Sequence, residues 1–316
     1  MRILFCGETF ASSRTLLQQR LPSQAGDKIS VWPDRGTPTD LSHVDVLVPM
    51  MFRIDGEVMD AAHFRLIQQW GSGLEGVDLE AARTRGIPVA SVPTSGSNAE
   101  SVAEHALLLI LSLLRQLPEA QANVRAGVLG APLGRMLGGR AVCLYGLGAT
   151  AISLARRLRA LDVRLLGITR DPEAPKVAAF GLDACYATSE RNTCLSQTDI
   201  LVLCSRLCNE TRGLIDAAAL AALPAEAYLV DAARGMLVYY DALYAALSAG
   251  RLAGAGLDVF WDEPIAPVNP LLALPNVIAT PHIAGVTDRS YGEIADAVAA
   301  NIELVRQGKP PVNQAF

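Results

Sequence analysis

Three short segments carry the side chains best placed to do chemistry. They are Asp231-Ala-Ala-Arg234-Gly235, Asp258-Val-Phe-Trp-Asp-Glu263-Pro264 and Thr280-Pro-His282-Ile-Ala-Gly285. Each follows or ends an apolar run of strand length. Each therefore sets a polar side chain at a strand's carboxyl end, where open α/β sheets build their ligand crevice. A guanidinium, a carboxylate and an imidazole so placed can bind an anionic substrate and move a proton. Upstream, Ala141-Val-Cys-Leu-Tyr-Gly146-Leu-Gly148-Ala-Thr-Ala151 reads as a strand, a glycine turn and a helix start. That is a seat for a dinucleotide's pyrophosphate. The combination points to hydride transfer coupled to proton transfer on a small carboxylate.

The elements that must position these groups read as two series of βαβ units. Apolar runs at 2–6, 44–48, 65–69 and 87–91 form the first series. Runs at 141–145, 163–168, 200–204, 227–231, 254–259 and 277–279 form the second. Strands that read as continuous apolar runs, with helices between them, predict parallel sheets covered on both faces. Between the series, Asn98 to Leu117 reads as one long helix, with Asn98 as N-cap and Pro118 as its stop. Leu107 through Leu111, with Leu113 and Leu114, make it apolar nearly all round, so it is expected to pack between domains or subunits. Ala126–Gly139 reads as a surface loop. Ser290 to Gln307 has helical periodicity through Ile294, Val298, Ile302 and Val305, and Gly308-Lys-Pro-Pro311 ends it. It follows the second series and could cross back to the first. The expected domains are 1–97 plus 286–316, and 98–285.

Composition narrows the function classes. At 316 residues the chain has room for about two domains of roughly 150 residues. A net charge of -5 lacks the basic excess of nucleic-acid binders. No apolar run reaches the roughly 20 residues of a membrane span. The N-terminus reads as a first strand, not a signal peptide. Six cysteines without a CxxC, three of them in expected strands, suit a reducing cytoplasm. The four histidines are scattered and form no ligand pair with a nearby Cys, so no metal is expected.

The glycine loop is GxGxxA, with Ala151 in the third position. Gly146 allows the turn, and Gly148 lets a pyrophosphate approach backbone N–H groups. The alternative is a tight strand–helix turn without a ligand. The preceding strand and the amphipathic helix after it (Ile152, Leu154, Ala155, Leu158) favour the nucleotide reading. The next strand ends Gly167-Ile-Thr169-Arg170-Asp171, where NAD-binding versions carry an acidic residue for the ribose. A hydroxyl plus a guanidinium suits a 2′-phosphate, so NADP is favoured over NAD. The alternative has Arg170 in solvent and Asp171 on the ribose. Among the histidines, His43, His63 and His105 read as structural, while His282 stands at a strand end before a backbone able to approach a ligand. Arg234 alone could be a surface ion pair and Glu263-Pro264 merely a turn. Their conjunction favours function.

In these residues the chain resembles the D-isomer-specific 2-hydroxyacid dehydrogenase family, over essentially its whole length. The segments that carry the resemblance are Trp70-Gly-Ser-Gly-Leu-Glu-Gly-Val-Asp78, Asn98-Ala-Glu-Ser-Val-Ala-Glu104, the glycine loop, Glu210-Thr-Arg-Gly-Leu-Ile215, Ala233-Arg-Gly235, Gly256-Leu-Asp-Val-Phe260 with Glu263-Pro264, and Pro281-His-Ile-Ala-Gly285. The resemblance implies two Rossmann-like α/β domains with parallel sheets and a cleft between them. It implies that Arg234 holds the substrate carboxylate, with backbone amides of Leu74, Glu75 and Gly76. His282 would be the acid/base, paired with Glu263, and Asp258 would hold the nicotinamide carboxamide. The candidate cofactor contacts are Val102, Gly146, Gly148, Ala149, Thr150, Thr169, Arg170, Cys204, Arg206, Ala232, Asp258, His282 and Gly285. A cytoplasmic homodimer built on the nucleotide domain is expected, with a small 2-oxo acid as substrate.

Departures from the family pattern sharpen this. Asp231 replaces the usual Asn, with no evident functional consequence. Ser205-Arg206-Leu207 replaces Leu-Pro-Leu, which puts a second cation near the adenosine. Glu263 argues against the formate dehydrogenase branch, which has Gln there. Phosphoglycerate dehydrogenases resemble this chain but carry an Arg near the position of Pro49, and no regulatory tail follows Phe316, so a phosphorylated substrate is not expected. Glyoxylate, hydroxypyruvate or a short apolar 2-oxo acid are the candidates. Two other readings compete. A redox-sensing, NAD(H)-binding corepressor of the same superfamily would carry extended disordered tails. An amino-acid dehydrogenase would want a lysine at a strand end, and none lies there.

Overall fold

The computed structural model describes residues 1–316 other than Pro38 and Thr94, and Gln24 by its backbone alone. The chain divides into two compact units, Met1–Asn98 with Thr287–Phe316, and Ala99–Val286.

The first unit holds a five-stranded sheet of β1 (Arg2–Cys6), β2 (Lys28–Trp32), β3 (Val46–Val48), β4 (Leu66–Gln68) and β5 (Val89–Ala90). The order is β2-β1-β3-β4-β5 and every pairing is parallel. The direction of strand addition reverses between β1 and β3, as in a flavodoxin-like sheet. The helix Asp288–Arg306 returns to this unit with Ile294, Val298, Ile302 and Val305 buried, starting from Thr287, whose side chain caps the Ser290 N–H.

The second unit holds seven parallel strands: β6 (Ala141–Tyr145), β7 (Arg164–Thr169), β8 (Ala184–Ala187), β9 (Ile200–Leu203), β10 (Tyr228–Asp231), β11 (Gly254–Leu257) and β12 (Val277–Ala279). Their order, β12-β11-β10-β9-β6-β7-β8, extends the doubly wound dinucleotide-binding arrangement, with the switch point between β6 and β9. All residues of β6, β9, β10 and β11 are buried, because helices cover both faces of the sheet.

Two strands escape the sequence reading, β2 and β8, and both are edge strands. Lys28-Ile-Ser-Val alternates exposed and half-buried residues before a buried Trp32, and Ala184-Cys-Tyr-Ala is half-buried throughout. Neither presents the continuous apolar run of a covered strand.

The long helix is also corrected. It spans Ser97–Leu114, so Asn98 lies in its first turn, not at its N-cap. Gln116 turns left-handed at φ 49, and a second helix, Leu117–Ala126, begins with Pro118 in its first turn. Proline lacks an N–H that the first turn does not need, so here it starts a helix instead of stopping one. One face of the first helix packs on β11, where a Cβ at Gly256 would stand 3.0 Å from Leu109 Cβ and 3.3 Å from Leu113 Cδ1. The opposite face leaves Leu108 and Leu111 exposed.

Candidate active site

The carboxyl ends of β10, β11 and β12 bring the three chemical segments together within the second unit. His282 lies just beyond β12 with φ 54, in the left-handed region that costs a residue other than glycine roughly 1–3 kcal/mol. Two backbone acceptors hold it there. Its N–H reaches Asp258 O at 2.8 Å and Thr280 O at 3.0 Å. The ring's Nδ1 is 2.5 Å from Glu263 Oε2. Glu263 is oriented in turn, because its Oε1 accepts the Phe260 N–H at 2.8 Å.

Asp258 follows β11 and is fully buried. Its Oδ1 accepts from Thr280 Oγ1 at 2.6 Å and from the Ile283 N–H at 2.9 Å, and its Oδ2 accepts from the Ala284 N–H at 2.8 Å. His105 Nε2 stands 2.9 Å from Thr280 Oγ1 and 3.4 Å from Asp258 Oδ1. Burial pushes the Asp258 carboxyl up, but His105, Thr280 and the two N–H groups outweigh it and hold it below the usual range. The resemblance gives Asp258 to the nicotinamide; the structure places both of its oxygens on donors of the His282 segment. Sequence reading missed this anchoring role, together with the parts played by His105 and Thr280. The hydroxyl two residues before His282 was the available signal.

Arg234 leaves β10 through a turn pinned by Asp231, whose Oδ1 accepts the N–H groups of Ala233 at 2.8 Å and Arg234 at 3.2 Å. The guanidinium's Nη1 donates to Ala233 O at 2.7 Å. Gly235 is required by its neighbours. A Cβ there would lie 2.3 Å from Phe260 C and 2.4 Å from Phe260 O. The Arg234 turn therefore rests on the backbone that orients Glu263.

At the switch point, Gly146 (φ 96) presses on β9's exit, where a Cβ would meet Ser205 Oγ at 2.5 Å and Ser205 N at 2.7 Å. Gly148, by contrast, faces open space. It is the N-cap of the helix Ala149–Leu158 and supplies no capping side chain. The first-turn N–H groups at Ala149 and Thr150 are thus available to a phosphate, and the site fits a dinucleotide. Ala151, in place of the third glycine, is fully buried. Thr169 ends β7 half-buried, Arg170 and Arg206 are exposed, and Cys204, Ala232, Gly285 and Val102 are half-buried. The Cys208 side chain and a backbone N–H hold Glu210 below the usual carboxylate range, with the charge of Arg170 contributing.

In the first unit, Leu74, Glu75 and Gly76 follow β4. A Cβ at Gly76 would stand 2.8 Å from Phe52 O, and Gln69 Nε2 donates to Met50 O and Gly73 O, each at 3.0 Å. The loops after β3 and β4 are therefore clamped together.

Similarity to known proteins agrees with this arrangement. The family profile for the D-isomer specific 2-hydroxyacid dehydrogenase NAD binding domain matches residues 107–284. A glyoxylate reductase of Thermofilum pendens is 36% identical over 268 residues, covering 82% of this chain and 77% of that protein. A D-3-phosphoglycerate dehydrogenase of Archaeoglobus fulgidus is 34% identical over 271 residues; the match covers 85% of this chain and only 50% of that longer protein. Among solved structures, an NADPH-dependent glyoxylate/hydroxypyruvate reductase of Sinorhizobium meliloti, in complex with NADP and malonate, superposes with a TM-score of 0.83 at 30% identity, covering 99% and 96% of the two chains.

Proposed function

The chain belongs to the D-isomer specific 2-hydroxyacid dehydrogenase family, and from that premise we propose that it reduces a small, unphosphorylated 2-oxo acid with NADPH. It is an NAD(P)-dependent oxidoreductase interconverting 2-oxo acids and 2-hydroxy acids. Glyoxylate, hydroxypyruvate or a short apolar 2-oxo acid are the proposed substrates. The observation that carries the reading is the Glu263–His282 pair at 2.5 Å, locked through Phe260 to the turn that bears Arg234.

The chemistry follows from the residues. When bound, the nicotinamide cofactor supplies the hydride. As it arrives, the carbonyl oxygen gains negative charge, and a protonated imidazole within hydrogen-bond reach can neutralise it. With Nδ1 held by Glu263, Nε2 is the nitrogen proposed to exchange the reaction's proton. The carboxylate also fixes the ring's orientation. Arg234 is the proposed clamp for the substrate carboxylate, a role suited to a planar fork of donors. Within the first unit, the loop Leu74–Gly76 is proposed to offer backbone N–H groups to the same kind of carboxylate. Orientation of this kind can lower the barrier by several kcal/mol.

The NADP preference rests on Thr169 and Arg170 at the end of β7, with Arg206 beyond the end of β9, two strands away across β6. Pro49 in place of a cation supports an unphosphorylated substrate. A homodimer formed through the second unit is part of the proposal. Leu108, Leu111, Val124, Leu129, Leu133 and Met136 put exposed apolar surface on consecutive elements there, and such patches mark protein contacts. A cytoplasmic location, consistent with six free cysteines, belongs to it too; no helix among the described residues is long and apolar enough to cross a membrane. The corepressor reading gains no support, since the relatives above are named as reductases and dehydrogenases.

An NADPH and NADH oxidation screen across 2-oxo acids tests the function. Turnover of glyoxylate, hydroxypyruvate or a short apolar 2-oxo acid is expected. Cofactor binding without turnover of any 2-oxo acid would overturn it.

A further inference from the structure

Asp231 stands where the family usually has Asn, and it is buried at the end of β10 with 1% of its surface exposed. One oxygen, Oδ1, takes the N–H groups of Ala233 and Arg234. The other, Oδ2, is buried and has no hydrogen-bond partner among the described residues. An ionised carboxylate would leave that oxygen charged and dry, which is costly. A protonated one is neutral, keeps both N–H groups on Oδ1, and has the shape of the amide it replaces.

The charged and titratable groups that face Asp231 come from three strand ends. Asp258, on the adjacent β11 exit, is an anion steadied by its own donors and repels a second one. The Cys204 thiol on the β9 exit is pushed up to about 12 by burial, and so is neutral. Arg234, in Asp231's own turn, is the cation of the group and favours ionisation.

We propose that Asp231 is a positioning residue for Arg234 whose proton governs substrate binding: ionised, it competes with the substrate carboxylate for the guanidinium's charge, and neutral, it does not. The inference rests on Arg234 being the carboxylate clamp. Burial raises the Asp231 carboxyl to about 7, against the pull of the two N–H groups and of Arg234. The switch therefore falls at neutral pH, where an Asn in its place has nothing to titrate. If only the protonated form binds well, about one molecule in eleven is competent one pH unit above the midpoint, and the apparent affinity falls about tenfold.

The test measures KM for a turned-over 2-oxo acid from pH 5.5 to 9 in the wild type, Asp231→Asn and Arg234→Ala. The wild-type KM should rise about tenfold between pH 6 and pH 8 more than that of D231N, which should hold the wild type's low-pH value. The two proteins differ only at Asp231, so the difference between the profiles isolates that residue. Superimposable profiles overturn the inference. If KM is unaffected by R234A, the clamp assignment itself has failed, a different outcome from R234A raising KM while D231N follows the wild type. Stability gives a second readout. The folded carboxyl titrates above its unfolded value of 3.8, so its stabilising contribution is full in acid and is lost as pH rises through about 7. D231N should match the wild type's Tm below about pH 4 and exceed it increasingly as pH rises to 8. A Tm difference independent of pH overturns the inference, as does a wild-type KM that is flat with pH should D231N fail to fold.

Discussion

Replacing Gly235 by Ala tests whether the site is held by the contact between the Arg234 turn and the Phe260 backbone. The added methyl would lie 2.3, 2.4 and 2.7 Å from the C, O and Cα of Phe260, whereas ordinary contact begins at 3.4 Å. These are backbone atoms, so no side-chain rotation relieves the clash, and one segment must move by about 1 Å. The movement reaches the chemistry from both sides. Arg234 is the preceding residue, and the Phe260 N–H is the donor that orients Glu263 toward His282. A 1 Å misplacement can cost about 10²-fold in rate, equivalent to about 2.7 kcal/mol of barrier. Overpacking of this kind also destabilises by about 1–3 kcal/mol, and Tm falls by roughly 2–4 °C per kcal/mol in a domain of 150–250 residues. The assay is steady-state kinetics with the best 2-oxo acid, together with cofactor titration by fluorescence and a thermal scan. Turnover should fall about 100-fold, Tm should fall, and cofactor affinity should stay within about twofold, since the glycine loop is untouched. Gly148→Ala is the counterpart: its methyl meets nothing within 4 Å, so Tm should hold while cofactor affinity drops. A G235A enzyme with normal turnover and normal Tm would refute the argument that this contact holds the site.

Four further outcomes are expected. His282→Ala should lower turnover by at least about 100-fold, as loss of a general acid does; near-normal turnover in steady-state assays would remove His282 from the chemistry. Arg234→Ala should raise KM for the 2-oxo acid while leaving cofactor affinity almost unchanged in a fluorescence titration. The wild type should prefer NADPH by about tenfold or more in kcat/KM, since one charge-assisted hydrogen bond contributes roughly 1.5–3 kcal/mol. Thr169→Asp with Arg170→Ala should reverse that preference, and a wild-type preference for NADH would place Asp171 on the ribose instead. Leu129→Asp with Leu133→Asp should convert the proposed dimer to a monomer in light scattering after size exclusion, because both side chains are more than 90% exposed and charges there oppose an apolar contact.

Much of the architecture was legible in the sequence because covered parallel strands must be apolar along their whole length. β6, β9 and β10 therefore appear as bare hydrophobic runs, and the polar residues that follow them mark strand ends without any knowledge of the fold. Gly146 and Gly148 likewise declare a turn by composition alone. Local pattern could not tell a helix stop from a helix start at Pro118, because proline suits either boundary. Nor could it find β2 and β8, since an edge strand need not be apolar on both faces. The supports of the candidate site were least legible of all. His105 lies 175 residues from Thr280, and Asp258 lies 26 from Ala284. Such partners meet only because parallel strand order sets β11 beside β12 and the helix Ser97–Leu114 packs on β11. Asp231 shows the same division within one residue. Its place at a strand end could be read from the chain. Its raised pKa could not, because that comes from burial beside Asp258, and burial is a property of the packed sheet.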